Sequence, residues 1–376
     1  MINAGAENSG ADDMLALLLE EAALNGSRCG ERYPEKRFFG YFCSYWPEEV
    51  VLAAGFEPLR LLPQSVQAVP GALTAFCCSL SRGCLATAER GGYNHLAGAG
   101  FAHTCDTMQC LGGIWHDVAG PDNTLQFVPP VTMDAPGAGL YYRVEFEALI
   151  NKMSLSAGRK IKPDALQNAI AICRHTRRLA AGLDSLRPFL PSPLVAALLR
   201  AGQVMPRDKY NNALEQALPA IKEKADHSWT GRRVLISGAV LENDSLYNML
   251  EELGGRVVAD DTCTGFRHFH ETGEAAVPGD PLQALVNRYA SLPPCPCRSR
   301  GVNYRVSYLA DLARERKARG AVLVIRKYCE PHAWDAVPVV EALKKAGLRT
   351  MVLELEGADA GGQERTRLQA FLESIE

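Results

Sequence analysis

Twelve cysteines are spread along 376 residues, and several stand where an α/β protein keeps its chemistry. In "AGFAHTCDTMQC", residues 99–110, a run of small and apolar residues stops at Thr104-Cys105-Asp106 and a helix-like pattern begins. Cys43 follows "FFGYF", Cys263 follows "RVVADD" by one residue, and Cys329 follows "AVLVIRKY", all three runs with strand character. Cys78 opens a helical pattern in "CCSLSRGCL", where backbone N–H groups point outward and favour a thiolate. Ligands of open parallel sheets bind outside the carboxyl ends of the strands, so cysteines at several such corners point to one shared centre.

Three chemistries suit such thiols. A nucleophilic cysteine needs one thiol and a base, for which His103 and His332 are available, but it leaves the other corner cysteines idle. Structural zinc is usually signalled by paired short spacings, and "PPCPCRS" supplies one Cys-Pro-Cys pair with no matching partner pair. An iron–sulfur cluster takes thiolates from widely separated loops. Spacing alone does not choose among the three.

The elements that must position these residues fall into three stretches. From residue 38 to about 130, strand patterns ("FFGYFC", "PLRLLP", "GAGFAHT", "LQFVPP") alternate with helical ones ("PEEVVLAAG", "CCSLSRGCLATAERGGY", "DTMQCLGGIW"). Residues 140–230 keep helical periodicity with no convincing strand. The alternation then returns, with "RRVLISGA", "RVVADD", "AVLVIRKYC" and "RTMVLELE" as strands. The expectation is an α/β protein with parallel sheets in two lobes and a helical middle segment. Its divisions are residues 1–35 as N-terminal tip and helix, 36–139 as the first lobe, 140–230 as the helical segment and 231–376 as the second lobe.

Composition narrows the function. A hydrophobic content of 47% and a charged content of 22% are ordinary for a globular protein of two or three domains. A net charge of −3 with no basic run argues against a nucleic-acid partner. No run approaches the ~18 apolar residues of a membrane span, and the first residues carry acids where a secretory signal would carry a basic region. The chain therefore reads as cytoplasmic, where surplus cysteine is buried filler or metal ligation rather than disulfide. No Walker-type phosphate loop is present.

Taken jointly, "GYFCSYWPEEVVLAAGFEPLRL", "CCSLSRGCL", "HTCDTMQ", "DDTCTGFRHF", "DPLQALVNRY", "PCPC", "YCEP" and "GGQERTRLQAFLE" resemble one family. It is the 2-hydroxyacyl-CoA dehydratase D-component family, which includes the substrate-binding subunits of ATP-dependent benzoyl-CoA reductase. The motifs run in the family's order from about residue 38 to the C-terminus. The resemblance implies two Rossmann- or flavodoxin-like lobes holding a [4Fe-4S] cluster through Cys78, Cys105 and Cys329. Cys77 and Cys84 are close alternatives for the first ligand. It implies an acyl-CoA substrate, a related second subunit and a separate ATP-hydrolysing iron–sulfur activator that delivers a low-potential electron. Water would leave a 2-hydroxyacyl thioester through a ketyl radical; in the reductase the electron enters an aromatic ring. A double-cubane relative would use extra cysteines, and Cys295 and Cys297 are at hand, but no ligand-bearing insertion follows the "CCSLSRGC" helix.

Further residues carry two readings each. Glu48 and Glu49 favour the positive end of their helix, or a carboxylate there works near the open iron with Ser44 as a hydrogen-bond donor. Arg267 and His268 contact phosphate or the acyl group, or form interlobe pairs. His103 and His332 support neighbouring ligands or are structural. "GGQERTR" presents amides to a phosphate or simply starts a helix.

Overall fold

The computed structural model describes residues 4–64, 71–118, 124–271, 279–298 and 300–375. Two four-stranded, wholly parallel sheets organise it. The first contains β1 (Phe38–Tyr41), β2 (Glu57–Arg60), β3 (Leu96–Ala102) and β4 (Thr124–Phe127), in the order β2-β1-β3-β4. The second contains β5 (Arg232–Gly238), β6 (Gly255–Asp261), β7 (Gly320–Arg326) and β8 (Arg349–Leu355), in the order β6-β5-β7-β8. The two orders are the same. Each sheet reverses its winding between its first and third strands, which is where a doubly wound sheet opens a crevice.

The central strands are buried along most or all of their length, with only Ala97 of β3 and Arg232 and Arg233 of β5 half-buried, as strands covered by helices on both faces must be. "GAVLVIR" of β7 and "FFGY" of β1 have no exposed position. Glycines serve close approach in both sheets. A Cβ on Gly100 of β3 would lie 2.2 Å from the Trp46 ring, and one on Gly238 of β5 would lie 2.6 Å from the Val324 carbonyl oxygen of β7.

Between the sheets in sequence come four long helices, Ala138–Ala157, Pro163–Leu186, Ser192–Val204 and Arg207–Glu223. Pro163 begins the second of them, at a position whose N–H has no helical partner to lose. Its buried face (Leu166, Ala169, Ile170, Cys173, Arg177, Ala180, Leu183) repeats every three or four residues. The N-terminal helix Ala4–Leu24 packs on Arg207–Glu223 and Ser192–Val204, burying Ala11, Leu15, Leu18 and Ala22. The expected tip is thus helical from Ala4, and residues 1–3 lie outside the described residues.

Strand ends fall earlier than the apolar runs suggest. β1 stops at Tyr41, two residues before Cys43, and β7 stops at Arg326, three before Cys329. The residues after β7 turn into the next helix, which puts Cys329 at a helix start, whereas Cys43 lies in the turn ahead of the helix Glu48–Ala53.

Candidate functional site

Cys78 is the N-cap of the helix Ser79–Glu89, Cys105 immediately precedes the helix Asp106–Val118, and Cys329 is the N-cap of the helix Glu330–Lys345. Three helix N-termini from the two α/β halves therefore present a cysteine each. All three thiols line one cavity of about 460 Å³, together with Thr104, Asp106, Cys297, Tyr328, Glu330 and Trp334. The positive ends of helix dipoles and free backbone amides favour thiolates at such places.

Local geometry explains the presentation. Tyr328 has φ +66°, in the left-handed region that L-residues with large side chains avoid, and the turn it makes is closed by the Cys329 N–H donating to the Arg326 carbonyl at 2.9 Å. This turn places Cys329 at the helix start, where it lines the cavity. Strained backbone of this kind gathers at working sites.

Burial pushes the Cys105 thiol up to about 11, against the backbone amides of Met108 and Thr107 that favour its charge. It pushes Cys329 up to about 12, with the His332 backbone N–H opposing. Such thiols stay protonated unless something cationic enters; a bound metal deprotonates its thiol ligands outright.

Cys78, not its neighbours, reaches the cavity. Cys84 is fully buried with its thiol against the Leu61 carbonyl at 3.8 Å, and Cys77 contacts the Thr74 hydroxyl at 3.8 Å outside the cavity lining. Cys29 and Cys173 are buried and Cys110 is exposed, all away from it.

The surroundings are rich in buried cations. Arg60, at the end of β2, is 1% exposed, lies over the Tyr41 ring and donates from Nη1 to Ser44 Oγ at 3.3 Å and the Cys263 carbonyl at 3.2 Å. Its Nε and Nη2 have no partner and it makes no ion pair among the described residues. Arg267 is held by Asp261 at 2.6 Å and donates to Cys263 Sγ at 3.4 Å. Arg326, paired with Glu242, lies near Cys78 and Cys329 and donates to Ser79 Oγ at 3.2 Å. The sequence hinted at two of these only as charged residues ending apolar strands.

Glu48 and Ser44 are not among the residues that line this cavity. Glu48 is buried and pairs with Arg207 and with His268 Nε2 at 3.2 Å; Ser44 Oγ is 3.1 Å from His268 Nδ1. Burial works against the Glu48 charge, but Arg207 and His268 outweigh it and hold the carboxyl well below its usual range. Ionised Glu48 only accepts, so His268 donates from Nε2 and its Nδ1 accepts from the Ser44 hydroxyl. Glu49 pairs with Arg177 at 2.8 Å and accepts from the Tyr289 hydroxyl at 2.8 Å. Neither glutamate is a solvated ornament of a helix end. Both clamp the first lobe to other elements because their cationic partners are buried with them.

Of the remaining candidates, His268 and Arg267 form pairs between and within lobes. His103 hydrogen-bonds Gln126, and His332 is buried beside Arg267 and Arg305. The Gly361 N–H donates to Glu364 at 2.9 Å at an exposed helix start.

Among the described residues no group of three or more His, Cys, Asp or Glu side chains is placed to hold a metal ion. A cubane makes a different demand, since each thiolate binds a different iron and the donors stand around a cavity. Three soft donors around one cavity, with the buried Arg326 guanidinium near Cys78 and Cys329, fit an anionic cluster.

A family model described as "2-hydroxyglutaryl-CoA dehydratase, D-component" matches residues 43–375. The chain is 24% identical to the lactoyl-CoA dehydratase beta subunit of Anaerotignum propionicum, over 95% of this chain and 97% of that one. It is 25% identical to the (R)-phenyllactyl-CoA dehydratase beta subunit of Clostridium sporogenes, over 88% and 90%. It is 26% identical to a subunit of the benzoyl-CoA reductase of Thauera aromatica, over 80% and 81%.

Proposed function

This chain belongs to the 2-hydroxyglutaryl-CoA dehydratase D-component family, and on that premise we propose that it is the iron–sulfur subunit of a 2-hydroxyacyl-CoA dehydratase. The observation that carries the reading is the convergence of Cys78, Cys105 and Cys329, from three helix starts, on one cavity. These three residues would hold a [4Fe-4S] cluster. When bound, it supplies one-electron chemistry at low potential, which an unactivated 2-hydroxyacyl-CoA needs because its β-hydrogen is not acidic.

The protein's own groups set the conditions for that chemistry. The thiols are half-buried at the cavity, and the buried Arg60, Arg267 and Arg326 guanidiniums would offset negative charge. The Ser44–His268–Glu48 chain is a hydrogen-bonded path along which a proton can be held or passed. The relatives named as beta subunits imply a related partner subunit. The electron would come from a separate ATP-hydrolysing activator in the cytoplasm.

Anaerobic purification tests the proposal. The chain should be brown, hold about four irons as a Cys-ligated cubane requires, and bleach in air. A colourless protein with stoichiometric zinc after reconstitution would overturn it. Aromatic ring reduction, suggested by the Thauera aromatica relative, is separated by assaying 2-hydroxyacyl-CoA dehydration against benzoyl-CoA reduction with the matched partners.

A further inference from the structure

A fourth thiol shares the cavity. Cys297 lines it with Cys78, Cys105 and Cys329, on a loop from a different part of the second lobe. That loop is firmly held. Cys295 and Arg298 exchange backbone hydrogen bonds of 3.0 and 3.2 Å, and Arg298 Nη1 donates to the Cys297 carbonyl at 2.6 Å. Arg305 anchors its base by donating to the Pro294 carbonyl at 2.7 Å. Pro296 further limits the turn between the two cysteines.

The other donors at the cavity are poor competitors. Asp106 and Glu330 are exposed at its mouth, and carboxylates are hard ligands for an iron–sulfur centre. Cys297 lines the same cavity with its thiol hydrogen-bonded to Cys295, a contact it would exchange for iron, and a thiolate is the ligand type that a cubane with four cysteine ligands takes.

We propose that Cys297 is the fourth thiolate of the cluster, binding the iron that Cys78, Cys105 and Cys329 leave open. The inference rests on the iron–sulfur reading above. Its consequence is functional: a coordinatively saturated cluster relays electrons and has no iron vacant for an acyl-CoA oxygen. The iron that meets substrate then belongs to the related subunit.

Cyanide, a ligand for a vacant iron, tests this on the anaerobically reconstituted full chain. The reduced wild-type protein should keep its electron paramagnetic resonance spectrum when cyanide is added. Mild ferricyanide oxidation should yield no three-iron signal. Cys297→Ala should still hold iron, but its spectrum should shift with cyanide and oxidation should release one iron. A wild-type spectrum that shifts with cyanide overturns the proposal while leaving the cluster intact. That arm decides the matter even where the variant fails to load. An iron-free wild-type chain after reconstitution would instead overturn the cluster reading itself.

Discussion

At the scale of single residues, the cysteines divide by what their thiols face. Serine at Cys78, Cys105 or Cys329 removes a soft donor from the shared cavity. Each variant is expected to lose most of its iron or convert the cluster, measured by iron and sulfide analysis. Cys110→Ser, on the surface, should keep wild-type iron. Full iron in Cys78→Ser together with loss in Cys77→Ser would move the first ligand by one residue. Arg60 invites a different measurement, because its buried charge has no carboxylate partner among the described residues. Arg60→Met should shift the cluster's midpoint potential to more negative values, since a nearby cation favours the reduced form. An unchanged potential in a spectroscopic redox titration would show that its charge does not reach the cluster.

Between elements, buried ion pairs and tight glycine contacts join parts that the sequence keeps far apart. Glu48, on the helix Glu48–Ala53, meets Arg207 at the start of the helix Arg207–Glu223. Removing one partner leaves the other charge buried, so Glu48→Gln should cost about 3–5 kcal/mol of stability, read from denaturant unfolding. Retained stability would mean that the guanidinium finds water. Gly100→Ala brings a methyl group against the Trp46 ring in the core of the first lobe. Overpacking of this kind costs about 1–3 kcal/mol, and a lowered midpoint in thermal unfolding would register it.

For the whole molecule, acid sensitivity and dependence on partners follow. The carboxyls of Glu48 and Asp261 are both held below their usual range: burial opposes their charge, but Arg207 and His268 for the first, Arg267 and Arg305 for the second, prevail. The folded state therefore binds fewer protons than the unfolded chain. Stability from these groups is complete above about pH 5, beyond the unfolded carboxyl values, and is lost as the pH falls further. The melting temperature should drop progressively below that point, and Glu48→Gln should flatten part of the slope. Without a phosphate-binding loop of its own, the purified chain should show no ATP-driven turnover. Turnover should appear only when a related subunit and an activator ATPase are added; full turnover by the isolated chain would contradict the subunit assignment.

The sequence by itself determined the α/β class, the alternation in each half and the helical stretch between, because period and apolar runs are local properties of the chain. It also singled out Cys78, Cys105 and Cys329 through motifs that resemble a family. Tertiary structure decided the rest. That Cys78 rather than Cys84 faces the cavity depends on which side of one helix packs against Leu61 and Tyr93. That Cys297 lines the cavity with the other three depends on a loop of the second lobe held by Arg305 and by the Cys295–Arg298 backbone bonds. Glu48 and Ser44 are outside the cavity's lining and held by Arg207 and His268 in a buried network. Those partners are separated from them by 159 to 224 residues. Pairings at such separation are selected by packing and by the cost of burying an unmatched charge, neither of which local spacing encodes.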